Sequence, residues 1–304
     1  MTSIGSYAQN QFVLRNNTDA QARVQDYRVQ VSTGYKAQRY DGISADSRRL
    51  ESLEQQHAKN AAFTKSIERT ELRLQTMESS VQGLQDIAQS FRTTLLSASN
   101  AENLKSLDLE KIASDLREQA IALVNTEVEG RFLFSGSATR TPPINSGVTN
   151  TDIISGDYYQ GNSDTLSVRA DSDVTLDYGI TAAPGENNGI EEVLTALTTV
   201  MNAPEDPNEI NNAIDILTGE SDTSGGAIAK LADTRAQIGS SLDLMGGIRT
   251  RLEDNQVDVE GTISDIEDVD VSRAMTLLAE QQTTLETSFA VTARLARTSL
   301  LNFL

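Results

Sequence analysis

Along most of this chain apolar residues recur at alternating steps of three and four, the spacing that lays one stripe down a helix. The strictest run is Ile67, Thr70, Leu74, Met77, Val81, Leu84, Ala88, Phe91 and Leu95, with Thr70 its one polar member. It predicts a helix over 46–98, of which 67–95 alone would measure roughly 42 Å. A second run, Leu231, Arg235, Ile238, Leu242, Met245, Arg249, Leu252, Gln256, Val259, Ile263 and Ile266, predicts another rod from Ala227, with Gly246-Gly247 the place for a bend. Leu109, Ile112, Leu116, Ala120 and Leu123 mark a shorter helix ending near Gly130. Helical spacing also covers Gly189–Asn202 and, after Pro204 and Pro207, Ile210–Leu217. Gly83 lies off the stripe and should cost about 1 kcal/mol against Ala.

Both chain ends carry seams of their own. Val13, Asn17, Ala20, Val24, Tyr27 and Val31 form a heptad seam with one Asn in it, predicting a helix over 6–33 capped by Gly34. An Asn at this place either is buried and sets register at a cost in stability or is simply exposed. The stretch Val269–Leu304 has neither Gly nor Pro, and Ala274, Leu278, Leu285, Phe289, Ala296, Leu300 and Phe303 mark its stripe. Gln281, Gln282 and Thr292 leave that stripe unfinished, while Arg294 and Arg297 suit the carbonyl end of a helix. An unfinished stripe calls for a partner, either the N-terminal helix or another subunit. The expected assembly interface is therefore Val13, Ala20, Val24, Tyr27 and Val31 with Leu278, Leu285, Phe289, Ala296, Leu300 and Phe303.

Residues 135–189 differ in texture. Pro142-Pro143, several glycines and many small polar residues break up the apolar pieces, and Leu166–Ala170 and Val174–Tyr178 alternate as a hairpin does. The expected fold is mainly α: an elongated coiled-coil or helical bundle formed by both chain ends, with a small β-rich inserted domain. Segments 1–45 and 269–304 are the terminal helices, 46–134 and 190–268 the long rods, and 135–189 the insertion. The order is nearly palindromic, bringing both ends together at one pole and the insertion at the other.

Charge sharpens this division. Of the net −19, residues 141–268 carry all, with 5 basic and 24 acidic side chains; 1–140 balance at 17 and 17, and 269–304 at 3 and 3. Acidic character argues against nucleic acid, because phosphates are repelled. No stretch approaches a membrane span, and the N-terminus lacks the charged and apolar regions of a cleaved secretory signal. Without Cys, thiol catalysis, thiolate metal sites and disulfides are excluded. His57 is the one histidine, so a multi-His metal site is excluded too, and it lies on a polar helical stretch. Asp265, Glu267, Asp268 and Asp270 lack the Gly and distal Glu of a calcium loop and read as capping carboxylates at a helix junction. Asp171 and Asp173 read as turn residues, and GGIRTR (246–251) sits inside a helical pattern. No catalytic, metal or cofactor constellation emerges.

Four stretches carry a resemblance. QVSTGYKAQRYDGISADSRRLESLE (30–54), GRFLFSGS (130–137), YYQGN (158–162) and EDVDVSRAMTLLAEQQTTLETSFAVTARLARTSLLNFL (267–304) resemble motifs of the flagellin superfamily of bacterial axial proteins. Many relatives have an Asp-Asp-Pro turn where this chain reads Asp41-Gly42-Ile43-Ser44. Within the superfamily the short insertion and the Asn302-Phe303-Leu304 ending resemble subunits that join hook to filament; the filament flagellin is the alternative, and a cytosolic coiled-coil scaffold the alternative outside it. The resemblance implies a structural role without enzymatic activity or cofactor, and export through the flagellar secretion channel without a cleaved signal. The implied partners are copies of the chain in a ring, a neighbouring hook-associated protein, flagellin, and an export chaperone on the C-terminal region. It also implies terminal helices that order only on assembly.

Overall fold

The computed structural model describes residues 3–38, 46–99, 107–220 and 225–301, with side chains between 11 and 294. In chain order these form α1 (Ser3–Thr33), α2 (Ser47–Ala98), α3 (Leu109–Val124), β1 (Glu127–Val128), β2 (Arg131–Phe132), α4 (Asn150–Ser155), β3 (Leu166–Arg169), β4 (Thr175–Tyr178), α5 (Ile190–Asn202), α6 (Pro207–Thr218), α7 (Ala227–Glu267) and α8 (Val271–Leu301). Contacts divide the chain into two units, Met1–Lys59 with Gln256–Leu304, and Asn60–Asn255.

In the second unit the regular stripe of α2 is the spine of the core. Ile67, Leu74, Met77, Val81, Leu84, Ala88, Phe91 and Leu95 are all buried, and so are Leu231, Ile238, Met245 and Leu252 of α7. The polar interruptions have partners. Thr70 donates its hydroxyl to the Ser66 carbonyl at 3.0 Å, the usual way a buried helical threonine is satisfied. Arg235 of α7 reaches Glu78 of α2 at 2.7 Å and Gln85 at 3.1 Å, and Arg249 reaches Glu71 at 3.2 Å and Glu253 at 2.8 Å. The two long helices are thus matched by apolar packing and by arginine–carboxylate pairs placed within the same heptad rhythm. Helix α7 remains one element through Gly246-Gly247.

The shorter elements complete this core. Gly83 is where α3 lies against α2: a Cβ there would stand 2.8 Å from a Leu123 methyl. Helix α3 starts on Asp108, whose carboxylate accepts from the Lys111 amide, and ends at Val124, earlier than its spacing suggests. Asn125 stops it by turning its side chain to Ile144, donating to that carbonyl at 2.8 Å and accepting from that amide at 2.9 Å. The chain then reverses between β1 and β2 through Glu129 and Gly130, both at positive φ.

Strands β3 and β4 pair where the alternation places them, Leu166 with Tyr178 and Val168 with Leu176. Their turn is held from α7, as Arg251 pairs with Asp171 at 2.8 Å. Strand content is nevertheless small, and residues 150–155 form the unforeseen helix α4, started by a reciprocal cap between Thr149 and Asp152. Tyr158, Val168 and Tyr178 from this middle stretch, with Phe134 just before it, share one apolar cluster with α2, α5 and α7. Pro207 begins α6 instead of breaking it, as proline at a first helical position can.

Candidate functional site: the paired terminal helices

In the first unit α1 and α8 lie side by side and antiparallel. Near one end the Val269 amide donates to the Gly34 carbonyl at 2.8 Å; further along, the Ser288 hydroxyl donates to the Asn17 side-chain carbonyl. On α1 the heptad seam faces inward: Asn17, Ala20 and Val24 are buried, and Val13, Tyr27 and Val31 half-buried. On α8 the inward side comprises buried Ala274 with half-buried Leu277, Leu278, Gln281, Leu285, Ser288 and Thr292. Gln281 and Thr292, two of the three gaps read from the sequence, belong to this inward side, and Gln282, the third, is half-buried as well.

The sequence stripe of α8 is divided by the structure. Leu278 and Leu285 are half covered, whereas Phe289 is 45% exposed. Met275 at 53%, Val291 at 49% and, on α1, Phe12 at 65% and Leu14 at 58% are also open. Met275 and Phe289 stand two heptads apart and are open, so α8 carries an exposed apolar side beside the one it turns to α1, with half-buried Gln282 between them. Phe303, and the side chains of Ala296 and Leu300, lie outside the described residues. A groove of about 620 Å³ runs here, lined by Val13, Glu280, Thr283, Thr287, Val291 and Thr292 among others.

A backbone clip anchors this pair. Gly34, at φ 81°, closes α1 and donates to Gln30, so that the next residues can run alongside the α7–α8 junction. The Lys36 amide donates to the Glu267 carbonyl at 2.7 Å, and Tyr35 bridges to Asp268. The Lys36 ammonium then caps two last-turn carbonyls of α7, Asp265 at 2.5 Å and Ile266 at 3.1 Å, where a cation suits the helix dipole. Asp270 starts α8 by accepting from the Arg273 amide at 3.0 Å. The acidic run 265–270 is therefore a helix junction. Burial first, then Glu54 and Asp268, push the Glu267 carboxyl above its ordinary pKa. Among the described residues no acidic or histidine group has the arrangement of a metal site. Periodicity could not have found Lys36, whose role depends on a contact more than two hundred residues away.

In the second unit, two of the sequence motifs meet. Tyr159 of YYQGN donates to the carbonyls of Phe134 and Asn162 at 3.1 and 2.8 Å, and the Asn162 amide donates to Ser135 of GRFLFSGS at 3.2 Å. The Asn162 carboxamide accepts from the Ser137 amide and donates to its hydroxyl. Both glycines are required by this closeness: a Cβ on Gly161 would stand 2.4 Å from the Tyr159 oxygen, and one on Gly136, at φ 64°, 2.2 Å from the Asn162 carbonyl. Tyr158 donates to Ala182 at 3.0 Å, and burial raises both phenols, Tyr159 to about 12. These motifs build a joint of the fold.

Paired terminal helices attached to long seamed helices define a class, and comparison with known proteins agrees with it. Residues 4–139 match the bacterial flagellin N-terminal helical region and residues 222–304 the bacterial flagellin C-terminal helical region. The chain belongs to the flagellin superfamily. It is similar to flagellar hook-associated protein 3 of Escherichia coli K12, at 23% identity across 93% of this chain and 92% of that protein. Its fold is similar to that of a flagellar hook-associated protein from Vibrio parahaemolyticus, with TM-score 0.56, 22% identity, and coverage of 73% of this chain and 97% of that one. The FlgL structure of Bacillus cereus is similar too, with TM-score 0.54, 16% identity, and coverage of 71% and 99%.

Proposed function

We propose that this chain is a structural subunit of the bacterial flagellum, joining hook to filament. The supporting observation is the division of α8 into two stripes. One is covered by α1; the other, with Met275 and Phe289, is left open for a neighbour. Covering apolar surface releases about 25 cal/mol per Å², so such a stripe drives association only when neighbours are present. In this reading 1–45 and 269–304 are the assembly segments, and 46–134 with 190–268 the long rods. Residues 135–189 are an inserted body. Neighbours are copies of the chain in a ring, a hook-associated protein on one side and flagellin on the other.

Export in this reading runs through the flagellar secretion channel without a cleaved signal, with a chaperone on the C-terminal region beforehand. Among the described residues no helix is long and apolar enough to cross a membrane. The role is mechanical, not catalytic. Antibody labelling of cells in the electron microscope should give one band at the filament base, and deleting the gene should release filaments from hooks. Label along the whole filament would favour a filament flagellin instead, and filaments still attached after deletion would reject the junction role.

A further inference from the structure

We propose that Asn17 is the residue that commits the free half of α1 to the α8 of its own chain. The clip at Gly34–Lys36 fixes only the near end of the helix pair. Beyond it, the apolar part of the seam discriminates poorly. Ala20 and Val24 on α1 and Ala274 on α8 are small and apolar, and another apolar stripe in heptad register could satisfy them. A ready competitor is present on every copy, namely the exposed Met275–Phe289 side of α8.

Asn17 differs from its neighbours in the seam. It is only 6% exposed, as buried as Ala20 and Val24, yet it carries a carboxamide that must find hydrogen bonds. Ser288 supplies one, donating its hydroxyl to the Asn17 carbonyl. The inward side of α8 is polar around this level, with Gln281 one heptad before Ser288 and Thr292 one turn after. The outer side presents Phe289 instead. Docking α1 on that outer stripe would set the amide against an aromatic ring and leave it unpaired, the costly outcome for a buried polar group. A single polar seam residue with one matched partner thereby favours own-chain pairing over cross-pairing between copies. This does not depend on where in the flagellum the chain resides.

The chain has no Cys, so introduced thiols report cleanly. Val13 and Thr292 line the same groove on the free half of the pair. Full-length protein carrying Val13→Cys and Thr292→Cys, oxidised at concentrations where it associates, should close mainly an internal disulfide, resolved from linked dimers on a non-reducing gel. Adding Asn17→Val should shift the ratio of internal to intermolecular bridges by about fivefold or more toward dimers. The exchange Asn17→Ser with Ser288→Asn should restore the parental ratio, which simple loss of packing would not do. An unchanged ratio in Asn17→Val, failure of the exchange to restore it, or a parent chain that links between copies as readily as within one would each overturn the proposal.

Discussion

Single residues explain where the helical stripes are interrupted. Thr70, Arg235 and Arg249 occupy apolar positions of the repeat, yet each is satisfied, by a backbone carbonyl one turn back or by carboxylates of α2 and α7. Such polarity is legible as an interruption in the sequence, but its partner is not. The glycines separate in the same way. Gly83 meets a Leu123 methyl that can rotate away, and alanine would recover helix propensity of about 1 kcal/mol. Gly161 meets a phenolic oxygen and a backbone carbonyl, neither free to move. Gly161→Ala should therefore lower unfolding stability by about 2 kcal/mol or more, with Gly83→Ala changing it by less than about 1 kcal/mol in either direction. Urea titration of the two variants checks this; equal losses would mean that the α2–α3 contact is as rigid as the motif joint.

At the scale of elements, periodicity placed the long helices to within a few residues, because a 3–4 repeat sustained over many turns has one simple solution. It failed where a side chain overrode the repeat. Asn125 stops α3 early by bonding Ile144, and the Thr149–Asp152 cap makes a helix inside a stretch expected to be mostly extended. For α8, sequence found the apolar residues but could not distribute them between two faces. That distribution now separates two substitutions. Leu285→Asp strikes the half-covered side and should loosen α1 from α8; Phe289→Asp strikes the open side and should leave that pairing while blocking association. Both should leave the melting of the α2–α7 core nearly unchanged, since it belongs to the other unit. Hydrogen exchange on α1, beside sedimentation for association, distinguishes them, and identical behaviour would erase the two-stripe division.

The clip gives the same unit a pH dependence. Because Glu267 is pushed upward in the folded chain, that state holds its proton at pH values where the unfolded chain has released it. Its contribution to stability is thus greatest below the ordinary glutamate range and declines as pH rises through the shifted one. Protection of the Lys36 and Val269 amides, corrected for intrinsic exchange, should fall across that window, and Glu267→Gln should flatten the fall. Protection that instead rises with pH would show that Lys36, not burial and the neighbouring Glu54 and Asp268 carboxylates, governs the carboxyl.

For the molecule as a whole, the charge count and the contact map draw related boundaries. Residues 1–59 and 269–304, both close to neutral, fall in one unit, and 141–255, with 19 of the 24 acidic side chains of the middle stretch, in the other. The resemblance carried by four motifs anticipated the family; two of those motifs, far apart in sequence, prove to be halves of one joint. What sequence could not supply was the pairing of specific partners over long separations, because a repeat states which face is apolar and nothing about what will cover it.

One such separation bears on how the protein comes into being. Asn17 and Ser288 stand 271 residues apart, and Lys36 reaches across 229 residues to the end of α7. A chain delivered end first, whether from a ribosome or through a narrow conduit, presents α1 long before α8 exists to receive it. The helix that leads must wait for the helix that trails, so the unit that α1 and α8 form can close only after nearly all of the chain between them has been delivered.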